Sequence, residues 1–202
     1  MSGEVLHGES TAYAPDGTPT MRAVFAAGQM HGDLVLFGPE GGVAQRVPYV
    51  LGTMHGEAVA YEDGIKRFVT PYAAGKKEGV AISRRLDGTL ESRLPYAADL
   101  LDGTAEFFDQ AERLLRRAEY VAGVLQGETT DFYPRGAVRQ RAQYAAGVLE
   151  GDVLTYHENG EIQRRERFSA GKPTAPATEY DERGELVDPS RKPPLWKRLL
   201  TG

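Results

Sequence analysis

Apolar and polar residues along this chain alternate in short stretches that Gly, Pro and Asp keep interrupting. In "GESTAYAPDGTPTMRAVFAAGQMH" (8–31) two such stretches flank "APDG" and a third break follows at "AAG". Alternation with period two, cut by turn residues every dozen positions, predicts β-hairpins and argues against helices. In "APDG" Pro presets φ at the first corner, Asp suits the next, and Gly takes φ > 0. A three-residue loop of this kind closes as a type I turn with a glycine bulge.

The pattern recurs. Glycines stand at Gly8, Gly32, Gly56, Gly79, Gly103, Gly127 and Gly151, 24 residues apart except for one 23-residue step from Gly56 to Gly79. An aromatic column follows five positions on, at Tyr13, Phe37, Tyr61, Phe108, Phe132, Tyr156 and Tyr180, with Arg84 in its place once. A second runs Phe25, Tyr49, Tyr72, Tyr96, Tyr120, Tyr144 and Phe168. A further glycine column reads Gly28, Gly52, Gly75, Gly123, Gly147 and Gly171, with Asp99 standing in once. "YEDG" (61–64) and "HENG" (157–160) fill the "APDG" slot. Such self-similarity is the signature of a repeat architecture. The predicted fold is all-β: an elongated open antiparallel meander of stacked β-hairpin repeats, about fifteen strands. Residues 1–187 form the array, as seven full repeats and a half repeat, and 188–202 a Pro-rich tail.

The three-residue loop sets a register in which Tyr13 lies opposite Pro19 and shares a face with Phe25. Val35, Val59, Ile82 and Leu154, with Val43, Leu90, Leu114, Val138 and Ile162, join that face. Five residues after each turn stand Arg22, Arg46, Val69, Arg93, Arg117, Arg141 and Arg165. In this register the arginines point away from the aromatic face and oppose small or apolar residues such as Ser10, Leu34 and Ala105. Three readings are open: diagonal ion pairs with acids such as Glu91, Glu112 or Glu119, a charged surface that keeps a long sheet soluble, or a ladder that docks an acidic partner. A loop one residue shorter would slip the register by one and set Arg22 against Glu9.

The pattern Tyr-x-x-(Asp/Asn)-Gly at a period near 24 resembles the MORN repeat, and "TYHENG" (155–160) and "DFYPRG" (131–136) are similar to its bacterial variant with YYxNG-type turns. The resemblance implies a non-enzymatic protein-binding module. It suggests an immunity or antitoxin protein that binds and neutralises a cognate bacterial toxin or secreted effector, the alternative being a scaffold or lipid-associated module. It brings no catalytic motif. The middle of the chain departs from the pattern: Arg84 replaces an aromatic and Glu112 a turn glycine. "FDQAERLLRRAEY" (108–120) reads either as a hairpin with a different turn or as a short helix. Positions where a repeat breaks its own rule are where specific binding can be built. The candidate partner-binding residues are therefore Arg22, Arg46, Arg93, Arg117, Arg141 and Arg165, with Arg84 and Glu112.

Composition narrows the chemistry. There is no Cys, so thiolate metal sites and disulfides are excluded. A net charge of −5 argues against general nucleic-acid binding. No leader or membrane-spanning stretch is visible, so a cytoplasmic location is expected. His7, His31 and His55 precede the first three glycines, but the column continues as Glu78, Asp102, Gln126 and Glu150. Equivalent positions lie two strands apart, roughly 10 Å, too far for shared zinc ligands; the column reads as any polar residue in an inter-repeat turn. No metal, cofactor or catalytic residue is expected. "LWKRLL" (195–200) carries the single Trp and reads as a short helix capping the last sheet edge, or as a basic-aromatic tag.

Overall fold

The computed structural model describes residues 5–187; the predicted tail segment at 188–202 lies outside the described residues. Among the described residues there are twenty strands and no helix, and every pairing is antiparallel. Six strands are only two residues long, and five of them lead into another strand: Gln29–Met30, Thr53–Met54, Lys76–Lys77, Leu100–Leu101 and Lys172–Pro173. Each begins an outgoing strand that a bulge then interrupts. Counted with the strands they lead into, they leave the fifteen that the repeat predicts.

The chain forms two compact units, Met1–Leu125 and Gln126–Gly202. The first holds five hairpins: Gly8–Tyr13 with Pro19–Ala26, Gly32–Phe37 with Val43–Val50, Gly56–Glu62 with Ile65–Ala73, Gly79–Arg84 with Leu90–Ala97, and Gly103–Phe108 with Leu114–Val121. In the second, Val124–Phe132 pairs with Val138–Ala145 and Val148–Tyr156 with Ile162–Ser169. A half repeat follows, with Thr178–Glu179 on the last hairpin and a single bridge between Tyr180 and Leu186. Each unit is an open antiparallel meander.

The long turns close as the sequence predicts. Gly17 donates its N–H to the Ala14 carbonyl (2.9 Å), and the Ala14 N–H donates to the Thr18 carbonyl (2.8 Å). The segment 108–120 is a hairpin of this same kind: Glu112, at φ +57, takes the left-handed corner that glycine fills elsewhere. The third hairpin differs. Asp63 and Gly64, at φ +51 and +76, make a two-residue loop between the paired Glu62 and Ile65, the type I′ turn that Asp-Gly favours. That is why its repeat is one residue short.

The turns between repeats are also two-residue I′ turns, but their first corner is not glycine. Ala27, Leu51, Ala74, Ala98, Ala122, Ala146 and Ala170 all sit near φ +50, a conformation that costs an L-residue roughly 1–2 kcal/mol. The polar column explains how the strain is held. Carboxylate oxygens of Glu78, Asp102 and Glu150 accept the N–H of Ala98 (2.9 Å), Ala122 (3.0 Å) and Ala170 (2.7 Å). The Gln126 amide oxygen accepts from Ala146 (2.8 Å), and His31 Nδ1 receives the Leu51 N–H at 3.4 Å. Each acceptor comes from the preceding repeat, so the column needs a hydrogen-bond acceptor, and an imidazole is only one way to supply it.

The anchor glycines have their own reason. Gly56, Gly79 and Gly103 have φ between +103 and +110, and a Cβ there would come within 3.1–3.3 Å of the Cγ of Pro48, Pro71 or Pro95. Only glycine allows the next repeat to close on the preceding strand.

One feature corrects the predicted faces. In all seven hairpins the register jumps by one residue just after the turn, so that Tyr13 pairs with Pro19 but Ala12 with Met21. Thr20 and its counterparts Ala44, Arg67, Glu91, Leu115, Arg139 and Gln163 are bulged out of the ladder. A bulge restores pairing one residue out of step. Tyr13 and Phe25 therefore lie on opposite faces, and the arginines share the face of the first aromatic column. The other face carries the second aromatic column around small buried residues, Ala23, Val47, Ala58, Ala105, Ala118, Ala142 and Val153.

Candidate protein-binding face

The arginine face is built from the cross-strand pairs beside each turn. With the bulge counted, Arg22 opposes Thr11, Arg46 opposes Val35, Arg93 opposes Ile82, Arg117 opposes Glu106, Arg141 opposes Thr130 and Arg165 opposes Leu154, each one place from the predicted partner. Val35 and Val59 are 4% and 3% exposed although they lie on this charged face. Arg46 stands between them in the ladder, and an arginine's methylene stem can cover such residues while its head stays wet. Arg93 also lies over the Phe108 ring, 5.5 Å from its centroid.

Most of the arginines are paired diagonally with acids. Arg46 reaches Asp33 (3.2 Å), Arg141 approaches Glu128 (3.9 Å), and Arg165 bonds Asp152, whose carboxylate raises the guanidinium's pKa above its ordinary value. These acids stand one residue after an anchor glycine, a column that reads Glu9, Asp33, Glu57, Glu128 and Asp152 where it is acidic. It was visible in the sequence as the third residue of "HGE" and "HGD"; the missed bulge hid its relation to the arginines. In two repeats the column fails, as Val80 and Thr104. Glu106 replaces both: it pairs with Arg93 on one side and Arg117 on the other, at 3.5 and 3.2 Å. None of the acids expected in the sequence analysis, Glu91, Glu112 or Glu119, takes this part. Among the described residues Arg22 has no ion-pair partner.

Arg84 and Glu112 lie elsewhere, at the turn edge of the first unit. Arg84 is half-buried in the first aromatic column opposite Leu90, 3.5 Å from the Gly88 carbonyl. Glu112 directs its carboxylate to the preceding repeat, accepting the Leu90 N–H at 2.6 Å. Arg84 bonds within its own turn and Glu112 to the preceding repeat, and neither joins the arginine column.

The arginine side chains stay 43–54% exposed despite their partners. Exposed pairs stabilise by only ~0–1 kcal/mol. The fold also accepts an apolar residue in this slot, Val69, with Val59 and Ile82 beside it. The hairpins therefore do not require the arginines. Among the described residues no three His, Asp or Glu side chains gather in a way that could hold a metal ion. The MORN repeat variant family matches residues 149–169, which fall within the last full repeat of the pattern and are shorter than its 24-residue period. No curated protein matches the chain.

Proposed function

We propose that this MORN-repeat protein acts by binding another protein, as a non-enzymatic cytoplasmic immunity or antitoxin protein that neutralises a cognate toxin or secreted effector. The observation that carries the binding reading is the arginine column: six half-exposed guanidiniums in a slot where the fold accepts valine. Arginine is favoured at interfaces for its planar, multi-donor head. Ion pairing by neighbouring carboxylates favours a protein partner over an anionic membrane, because it leaves little net positive charge to attract lipid. The immunity role rests on the resemblance to bacterial YYxNG-type repeats.

The test is co-expression with the product of the adjacent gene. Protection from a toxic neighbour, lost when Arg46, Arg93 and Arg141 are changed together to Glu in a folded variant, is the expected result. A chain that neither binds nor protects against that neighbour, yet floats with anionic liposomes in a salt-sensitive way, overturns the reading in favour of the lipid-associated alternative.

A further inference from the structure

The turn edge of the first unit departs from the repeat at one place. At the first corner of three long loops, Arg85, Tyr133 and His157, a side chain reaches forward to the backbone of the next repeat. Arg85 does this most fully, its guanidinium donating to the carbonyls of Leu90 (2.8 Å), Asp109 (3.0 Å) and Phe108. In the second unit the Tyr133 hydroxyl donates to the Tyr156 carbonyl (2.7 Å), and His157 Nε2 meets the Tyr180 carbonyl (3.0 Å). Two repeats before Arg85 the same corner is Gly38, which has no side chain to reach with. The next loop there is the shortened Asp63–Gly64 turn. Together these leave a groove of about 460 Å3 lined by Gly38, Pro39, Glu40, Val43, Tyr61 and Asp63.

The counterparts of Arg85's three acceptors are the carbonyls of Val43, Glu62 and Tyr61, and Val43 and Tyr61 line the groove. Two carboxylates, Glu40 and Asp63, flank it, and among the described residues neither has an ion-pair or hydrogen-bonding partner. We infer that this groove receives an arginine side chain of the partner protein, its guanidinium taking the place that Arg85 takes in its own turn. Bidentate guanidinium recognition by carbonyls and carboxylates is strong and geometrically selective. This inference rests on the protein-binding reading above, since it names a contact of that partner.

The fold itself supplies the decisive variant. Gly38 has no left-handed φ, and a Cβ there would meet only the Gly42 carbonyl oxygen, at an ordinary 3.7 Å. Gly38→Arg should therefore fill the groove from within. The experiment titrates N-acetyl-arginine amide into the full chain and follows backbone amide NMR shifts. Saturable shifts at Gly42, Tyr61 and Gly64 are expected. They should weaken about tenfold in Glu40→Gln/Asp63→Asn and vanish in Gly38→Arg, and N-acetyl-citrulline amide, which is neutral, should produce none. Equal shifts from citrulline, or arginine shifts that persist in Gly38→Arg, overturn the assignment. The failures separate cleanly. A toxin bound equally by wild type and Gly38→Arg sinks the groove and leaves the binding module standing. Arginine-selective shifts in a chain with no toxin partner leave the groove standing and sink the immunity reading.

Discussion

Gly56→Ala tests how one repeat closes on the next. Gly56 has φ +110, and an added Cβ would lie 3.1 Å from Pro48 Cγ and 3.6 Å from its Cβ. Two costs follow. A non-glycine residue held in this region is strained by roughly 1–3 kcal/mol. Forcing a methyl against a ring costs roughly 1–3 kcal/mol more. Alanine's stiffer unfolded chain returns about 0.4–1 kcal/mol. The expected loss is thus about 1–5.5 kcal/mol. Gly8 stands in the same column at φ +94, but nothing lies within 4 Å of its added Cβ, so Gly8→Ala should show the first cost without the second. The sharper control is Pro48→Ala, which removes the ring. In a double-mutant cycle, Gly56→Ala and Pro48→Ala together should destabilise by less than the sum of the single changes, with a coupling of about 0.5–3 kcal/mol. Urea unfolding gives the stabilities, and amide exchange at Ala58 and Val59 reports opening of this repeat alone, because repeats unfold by neighbours. Additive effects with no coupling to Pro48 would refute the steric account of the anchor glycine.

Other outcomes follow from the same bonds. Glu106→Gln unpairs Arg93 and Arg117 together; a loss of about 0.5–2 kcal/mol is expected at low salt, shrinking in about 0.5 M salt as screening grows, and an unchanged urea midpoint at low salt would contradict the shared-acid account. Glu112→Gly restores the turn's usual residue yet should destabilise by roughly 1 kcal/mol, because relief of left-handed strain is outweighed by loss of the charged acceptor for the Leu90 N–H; a thermal scan showing stabilisation would reverse that ranking. The Ala170 N–H first, then the Ser169 hydroxyl, hold the Glu150 carboxyl below its ordinary pKa of 4.5. A carboxyl depressed by folding stabilises above its unfolded pKa, and that contribution is lost as pH falls from about 4.5 through the lower folded value. Melting temperature should therefore drop across this window in wild type and less in Glu150→Gln, which keeps an oxygen acceptor as Gln126 does; parallel curves would exclude the carboxylate as the source.

The repeat, its turns and the all-β class were legible because glycine and turn residues answer to backbone geometry, which leaves a residue-type signature. The polar column was legible as a column, but its role as acceptor for strained alanines was not. The sequence marks Ala98 as an ordinary residue and says nothing of its φ of +49. The face assignment failed at the bulge. Thr20, Ala44, Arg67, Glu91, Leu115, Arg139 and Gln163 share no side-chain property, because a bulged residue is defined by what its partner strand omits. One unseen residue per hairpin placed the arginines with the wrong aromatics and opposite the wrong partners. The shortened repeat held a readable clue: one residue fewer at "EDGI" is what a two-residue turn requires.

Positions in such an array differ in how much freedom folding leaves them. An anchor glycine is fixed by φ and by the proline it faces. A polar-column residue must accept a hydrogen bond, but Glu78, Asp102, Gln126, Glu150 and His31 show that several chemistries suffice. The arginine slot is freer still, since Val69 fills it without loss of pairing to Val59 or Ile82. Pairing in the sheet therefore does not require arginine, yet arginine stands in six of the seven slots. Exposed pairs of this kind contribute little stability, so the acids beside them are better understood as positioning the guanidiniums. Glu106 makes the case most directly. It stands where other repeats carry threonine or an aliphatic residue (Thr11, Val35, Val59, Ile82, Thr130, Leu154) and holds two arginines whose own repeats lack the usual acid. A residue that keeps two guanidiniums oriented, at a site where the sheet does not need it, supports the proposed binding role of the arginine column.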